Sequence, residues 1–148
     1  MEAVMFIGMQ ATGKTTFFRE RFFDSHIRIS LDLLNTRNKE QKFFELCLEL
    51  QQRLVIDNTN ATKLERQKYI EAAKGYKFKS IGYYFESKMN EAKLRNSNRG
   101  GRARIPDAGL HATFAKLEIP QYAEGFDELF FVSIRDHEFN VEEWRNEI

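Results

Sequence analysis

The stretch Gly8-Met9-Gln10-Ala11-Thr12-Gly13-Lys14-Thr15 decides how the rest of the chain is read. It fits the pattern G-x-x-x-x-G-K-[ST] without a mismatch. Each part answers a need of anion binding. Gly8 and Gly13 let the backbone turn and come close to an anion. The successive N–H groups of Gln10, Ala11, Thr12, Gly13, Lys14, Thr15 and Thr16 then point inward, helped by a helix N-terminus. Lys14 reaches the β- and γ-phosphate oxygens of a nucleotide such as ATP, and the Thr15 hydroxyl can ligate Mg²⁺.

The flanks agree with that reading. Residues 3–7 are an apolar run that predicts a buried strand ending at Gly8, and residues 15–23 read as the helix that follows. Further strands are predicted over 27–30, 54–56, 78–85 and 129–133. Helices are predicted over 39–52, 62–74 and 88–98, with a terminal helix over 139–146. Thr62-Lys63-Leu64-Glu65 matches a capping box at the start of one of them. Short apolar runs alternating with longer amphipathic stretches predict an α/β fold. The expectation is a P-loop NTPase kinase-like fold: a parallel sheet of about five strands flanked by helices. Residues 1–148 are read as a single domain, as suits a chain of 148 residues.

Composition narrows the class. The chain supplies 14 Phe, 5 Tyr and one Trp for a core, and only two prolines and eight glycines. Charged residues make up 30% and apolar residues 42%, the proportions of a soluble globular protein. The net charge is only +1, so a nucleic-acid contact would be local and short rather than a long duplex grip. Cys47 is the single cysteine, which excludes an intrachain disulfide and suits a reduced compartment. The start, Met1-Glu2-Ala3-Val4, lacks a basic n-region and a long apolar run, and no membrane-length apolar segment occurs. The expectation is a cytoplasmic protein without a membrane partner.

Two carboxylates fall where open α/β sheets bind ligands, beyond the carboxyl ends of strands. Asp32 follows Arg28-Ile29-Ser30-Leu31 and could accept the proton of an attacking hydroxyl. The alternative is that it caps the helix starting nearby. Asp57 ends an apolar strand and opens Asp57-Asn58-Thr59-Asn60, which fits an acid beside the metal and also a polar turn. From Ala92 to Pro106 there are five basic residues, Lys93, Arg95, Arg99, Arg102 and Arg104, and no acidic one. Arg95 and Arg99, four apart, share a helix face that could clamp a triphosphate. Gly100-Gly101 beside them predicts an Arg-rich, hinged lid over about residues 95–106. An ordinary solvated face is the alternative.

Beyond the phosphate loop, several segments are more distinctive. They are Val55-Ile56-Asp57-Asn58-Thr59-Asn60, Arg66-Gln67-Lys68-Tyr69, Arg95-Asn96-Ser97-Asn98-Arg99, Ile105-Pro106 and Tyr122-Ala123-Glu124-Gly125-Phe126. In that order the chain resembles the polynucleotide 5′-hydroxyl kinase family, in particular the kinase module of the animal polynucleotide kinase-phosphatases. The resemblance implies transfer of the ATP γ-phosphate to the 5′-OH end of DNA or RNA with Mg²⁺, in nucleic-acid repair or healing. It implies Asp32 as general base, Lys14 and Arg99 as the other catalytic groups, and Thr15 with Asp57 at the metal. Arg95 and Arg99 would contact the nucleotide, and residues 133–136 would lie beside the adenine. Asp32, Arg37 and Asn58 would meet the acceptor.

The chain also departs from the family. Some members carry an arginine three residues after the base aspartate, to grip an acceptor phosphate. Here that position is Asn35, and Arg37 is the nearest substitute. No D-x-D-x-T phosphatase pattern occurs, so 3′-phosphate removal would fall to a separate phosphatase, with a ligase as a further partner. Two other readings stay open at this point: a kinase of a small-molecule hydroxyl, and a nucleotide-dependent binding or switch module.

Overall fold

The computed structural model describes residues 1–145, with Arg102 described by its backbone alone. Its six strands are β1 (Glu2–Ile7), β2 (Ile27–Ile29), β3 (Leu54–Asp57), β4 (Lys79–Phe85), β5 (Glu128–Arg135) and β6 (Glu138–Glu143). They form one sheet in the order β2-β3-β1-β4-β5-β6. The first five strands run parallel, as the sequence predicts, and β6 is an antiparallel edge. Six α-helices lie between them: α1 (Lys14–Arg21), α2 (Leu31–Leu34), α3 (Arg37–Glu49), α4 (Lys63–Gly75), α5 (Met89–Ser97) and α6 (Asp107–Lys116). Among the described residues no helix is long and apolar enough to cross a membrane.

Alternation along β1 sorts the core onto two faces. Ala3, Met5 and Ile7 pack with Phe44, Cys47 and Leu48 of α3 and Tyr69, Ile70 and Ala73 of α4. Val4 and Phe6 point the other way, onto Phe17, Phe18 and Phe22 in and just after α1. The Phe6, Phe17, Phe22 and Phe85 rings meet there edge-on or tilted, with centroids 5.1–5.9 Å apart. The helix that follows β1 therefore goes to one face and the helix that follows β3 to the other. That divergence opens a crevice at the carboxyl ends of these two neighbouring strands, the usual place for a ligand.

Two elements differ from the sequence expectation. The segment expected as a terminal helix over 139–146 is strand β6 as far as Glu143, with Trp144 and Arg145 following outside the strand and Asn146 outside the described residues. Phe139 and Val141, two apart, both pack on the second core, a spacing that a strand satisfies and a helix does not. The turn from β5 to β6 is the two-residue pair Asp136-His137, both at positive φ (51° and 64°), as a type I′ hairpin requires. Helix α6 was not foreseen. Leu110 is its one fully buried apolar side chain, so its sequence carries almost no helical stripe. With Ala92 of α5 and the partly buried Met89, Ile105 and Leu117, Leu110 covers Met9 of the phosphate loop.

Candidate active site

The phosphate loop runs from the end of β1 into α1. Gly8 (φ 149°) sits so close to β4 that a Cβ there would lie 3.0 Å from the Phe85 carbonyl oxygen. Gly13 (φ 95°) takes the left-handed conformation that starts α1, with Phe139 packed against its bare face. The loop is braced from both sides. The Gly8 N–H donates to the Thr59 carbonyl (2.9 Å), and the Met9 N–H donates to the Ser87 hydroxyl (3.0 Å). The Thr12 hydroxyl donates to the Met9 carbonyl (2.8 Å). The Lys14 ammonium folds onto the carbonyls of Gly8 (3.0 Å) and Met9. Burial pushes the Lys14 pKa from 10.5 down to about 8; Asp57 opposes the fall, Arg99 adds to it, and Asp32 opposes it. A bound polyphosphate is the partner that would hold Lys14 charged.

Asp57, at the end of β3, is buried beside the first turn of α1. Its Oδ2 accepts from the Thr15 hydroxyl (3.2 Å) and from Arg28 Nε (2.8 Å). Arg28 also reaches the hydroxyls of Thr15 (3.4 Å) and Ser30 (3.5 Å). Sequence reading assigned no role to Arg28, although a lone charge inside the strand Ile27-Arg28-Ile29 was the available signal. Thr15 and Asp57 present hard oxygens side by side, which fits Mg²⁺ held by one or two protein groups plus phosphates and water. Among the described residues no cluster of three or more His, Cys, Asp or Glu could cage a metal alone. A divalent ion here would therefore lean on the nucleotide.

The opposite wall starts at α2. Ser30 takes the cap position, its hydroxyl accepting from the Asp32 N–H (3.2 Å), so the Asp32 side chain is not the cap. Asp32 itself is exposed. The Asn58 Oδ1 accepts from the Leu31 N–H (2.9 Å), and its Nδ2 donates to Glu40 (3.1 Å). Both ends of that amide thus serve the scaffold. The turn after β3 is pinned from below. Asn60 (φ 45°) donates to the Phe6 carbonyl (2.7 Å). The fully buried Arg66 donates to the carbonyls of Asn60 (2.9 Å) and Ala61 (3.2 Å). Arg66 is neutralised by a two-pronged pair with Glu124 (2.7 and 3.1 Å).

Between the walls lies a cleft of about 850 Å³. It brings together Gln10, Ala11, Gly13, Lys14, Thr15 and Thr16 with Asp32, Arg37, Asp57, Asn58 and Arg99. Arg19, Leu31, Asn35, Thr59, Asn60, Ala103 and Ile105 complete the lining. Gly8 and Thr12 belong to the loop but do not line the cleft. Arg95 is also elsewhere. It pairs with Glu91 (3.7 Å) and lines a small hollow with Thr12, Glu86, Ser133 and Ile134. The basic segment folds back through Asn96, whose buried amide bonds both the N–H (2.8 Å) and the carbonyl of Ile105.

No family model matches the chain. It is 25% identical over 150 residues to the bifunctional polynucleotide phosphatase/kinase of Schizosaccharomyces pombe, covering 97% of this chain and 37% of that protein. It is 26% identical over 135 residues to a putative bifunctional polynucleotide phosphatase/kinase of Acanthamoeba polyphaga mimivirus, covering 86% and 32%. The chain thus spans about a third of the length of these relatives (37% and 32%). Among solved structures, an unliganded sugar kinase from Janibacter sp. HTCC2649 superposes with a TM-score of 0.68 at 14% identity, over 90% of this chain and 85% of that one. That likeness bears on the fold alone. The phosphate loop and the six-stranded sheet are those of a P-loop NTPase, and in sequence the chain is similar to these two polynucleotide phosphatase/kinases.

Proposed function

We propose that the chain is a kinase that transfers the γ-phosphate of ATP to the 5′-OH end of a DNA or RNA strand. The observation that carries this reading is the shared cleft, with the Lys14–Thr15 loop on one wall and the Asp32 carboxylate on the other. In this reading the acceptor hydroxyl attacks the γ-phosphorus in line. The new P–O bond forms as the bond to the β–γ bridging oxygen breaks, ADP leaves, and the hydroxyl proton goes to Asp32. Lys14 and Arg99 spread the negative charge that develops on the transferred group. Mg²⁺, held by Thr15 and Asp57, would neutralise the phosphate oxygens when bound. In this reading the adenine lies beside residues 133–136, where Ser133 borders a small hollow with Thr12 and Arg95.

Support for a polynucleotide acceptor comes from the two relatives, whose names specify polynucleotides, and from Arg19 and Arg37 in the cleft. A near-neutral chain suits a grip on one strand end rather than on a duplex. The free, buried Cys47 suits a reducing compartment such as the cytoplasm.

The test is an end-labelling assay with Mg²⁺ and γ-labelled ATP on short 5′-OH DNA and RNA strands. Label on either strand supports the proposal, and the pair ranks DNA against RNA. No label on either, with label appearing on a sugar or nucleoside hydroxyl, contradicts it and favours a small-molecule kinase. ATP hydrolysis with no labelled acceptor of any kind favours a switch module.

A further inference from the structure

Glu40 has no exposed surface, yet it is an acid in the first turn of α3 with no part in the chemistry above. A buried carboxylate is tolerated only when its oxygens are satisfied. Three donors converge on this one. The Tyr69 hydroxyl meets Oε1, while Asn58 Nδ2 (3.1 Å) and Arg37 Nη1 (3.1 Å) meet Oε2. Burial, reinforced by Glu40, pushes the Tyr69 phenol well above its ordinary value of 10, so it remains a donor at physiological pH.

The partners lead in one direction. Asn58 continues to the Leu31 N–H (2.9 Å), one residue before Asp32. The Arg37 side chain is 55% exposed and lines the cleft. It gives Nη1 to Glu40 and, more weakly, to Tyr69 (3.4 Å). A guanidinium carries five N–H donors, so an edge of the fork remains for an anion. None of these bonds runs to the phosphate loop.

We propose that Glu40 is a positioning residue for the acceptor, aiming Arg37 at a phosphate next to the acceptor hydroxyl and fixing Asn58 under the Asp32 segment. This rests on the polynucleotide-kinase reading above. Glu40 touches no reacting atom. It acts through two side chains that reach the acceptor wall only, so its loss falls on the acceptor and spares the nucleotide.

The test measures KM for a 5′-OH oligonucleotide and for Mg²⁺-ATP in wild type, Glu40→Gln, Arg37→Gln and the double variant. Glutamine keeps the length but sets an NH₂ against donors. Loss of a hydrogen bond to a charged group predicts a rise of about tenfold or more in oligonucleotide KM for Glu40→Gln. ATP KM stays within about twofold, and the double variant falls short of the sum of the two single effects, because Glu40 and Arg37 act partly as a unit. Tyr69→Phe keeps the ring against Phe44 and removes one donor. It is the substitute should Glu40→Gln not fold, and a smaller rise in the same KM is expected. Both KM values rising together, no change in either, or additive effects would overturn the inference while leaving the kinase reading intact. Failure of wild type to label any 5′-OH strand would overturn both.

Discussion

The phosphate loop and the wall facing it are held in place by different means. The loop is set mainly by backbone: two glycines at positive φ, N–H to carbonyl bonds, and a helix that starts within the motif, with the Ser87 and Thr113 hydroxyls as side-chain braces. The facing wall is set by side chains brought from afar. Asn58 bonds Glu40, Glu40 bonds Tyr69, and Arg66 bonds Glu124, across 18, 29 and 58 residues of sequence. A backbone cradle suits a ligand that is the same in every turnover, the polyphosphate of a nucleotide. A wall of interlocked side chains can be re-aimed by a few substitutions, which suits an acceptor that differs between kinases. The two walls meet at Asp57, which takes Thr15 from one side and Arg28 from the other.

Four changes separate the walls, in decreasing order of effect. Lys14→Ala removes a charge from the donor wall. Turnover at saturating acceptor should fall by roughly 10²–10³, the usual cost of deleting a preorganised stabilising group. Oligonucleotide affinity, read by fluorescence anisotropy, should hardly move. Arg66→Met strands Glu124, whose side chain is only 10% exposed, and should cost about 3–5 kcal/mol of stability in urea unfolding. The folded fraction should lose acceptor phosphorylation before nucleotide binding, because the Asn60 and Ala61 carbonyls lose their donor. Equal losses of both would break the comparison.

Gly13→Ala forces a left-handed conformation on a residue with a Cβ, at about 1–2 kcal/mol, and sets that Cβ 3.0 Å from Phe139. Unfolding midpoints and nucleotide titrations should both register it, with acceptor affinity spared. The smallest effect is on pH. Lys14 in the free loop loses its proton near pH 8, whereas a bound phosphate keeps it charged. Nucleotide binding therefore takes up a proton above pH 8. Affinity for Mg²⁺-free ADP should fall with rising pH by up to about tenfold per unit, and Lys14→Met should flatten the profile.

The same contrast explains what could be read from the sequence. The donor wall is contiguous, so Gly8 to Thr15 and the strand before it were legible at once. Asp57 was legible because an apolar run delivers it. The five parallel strands followed from alternation. Strand β6 was misread because its hairpin turn is Asp136-His137, not the Asn-Gly pair that usually announces positive φ. Arg28 gave only the faint signal of a charge in a three-residue strand. Asn58 was read as an acceptor contact, while both ends of its amide bond the scaffold. Glu40 could not be found at all, because burial in the first turn of α3 depends on Tyr69 and Asn58 arriving from other elements. Arg95 illustrates the limit of spacing. It lies one turn before Arg99 in sequence, but Arg99 lines the cleft and Arg95 lines the hollow behind the loop.

The measurement that bears most directly on the two-walled cleft compares wild type with Asp32→Asn in one experiment. Transfer of labelled γ-phosphate to a 5′-OH oligonucleotide is followed beside nucleotide affinity by titration. Under the proposed function Asp32 takes the acceptor's proton from outside the phosphate loop, so transfer should fall by about 10²–10⁴ while nucleotide affinity stays within about twofold. Undiminished transfer, or nucleotide affinity lost in step with transfer, would contradict the account.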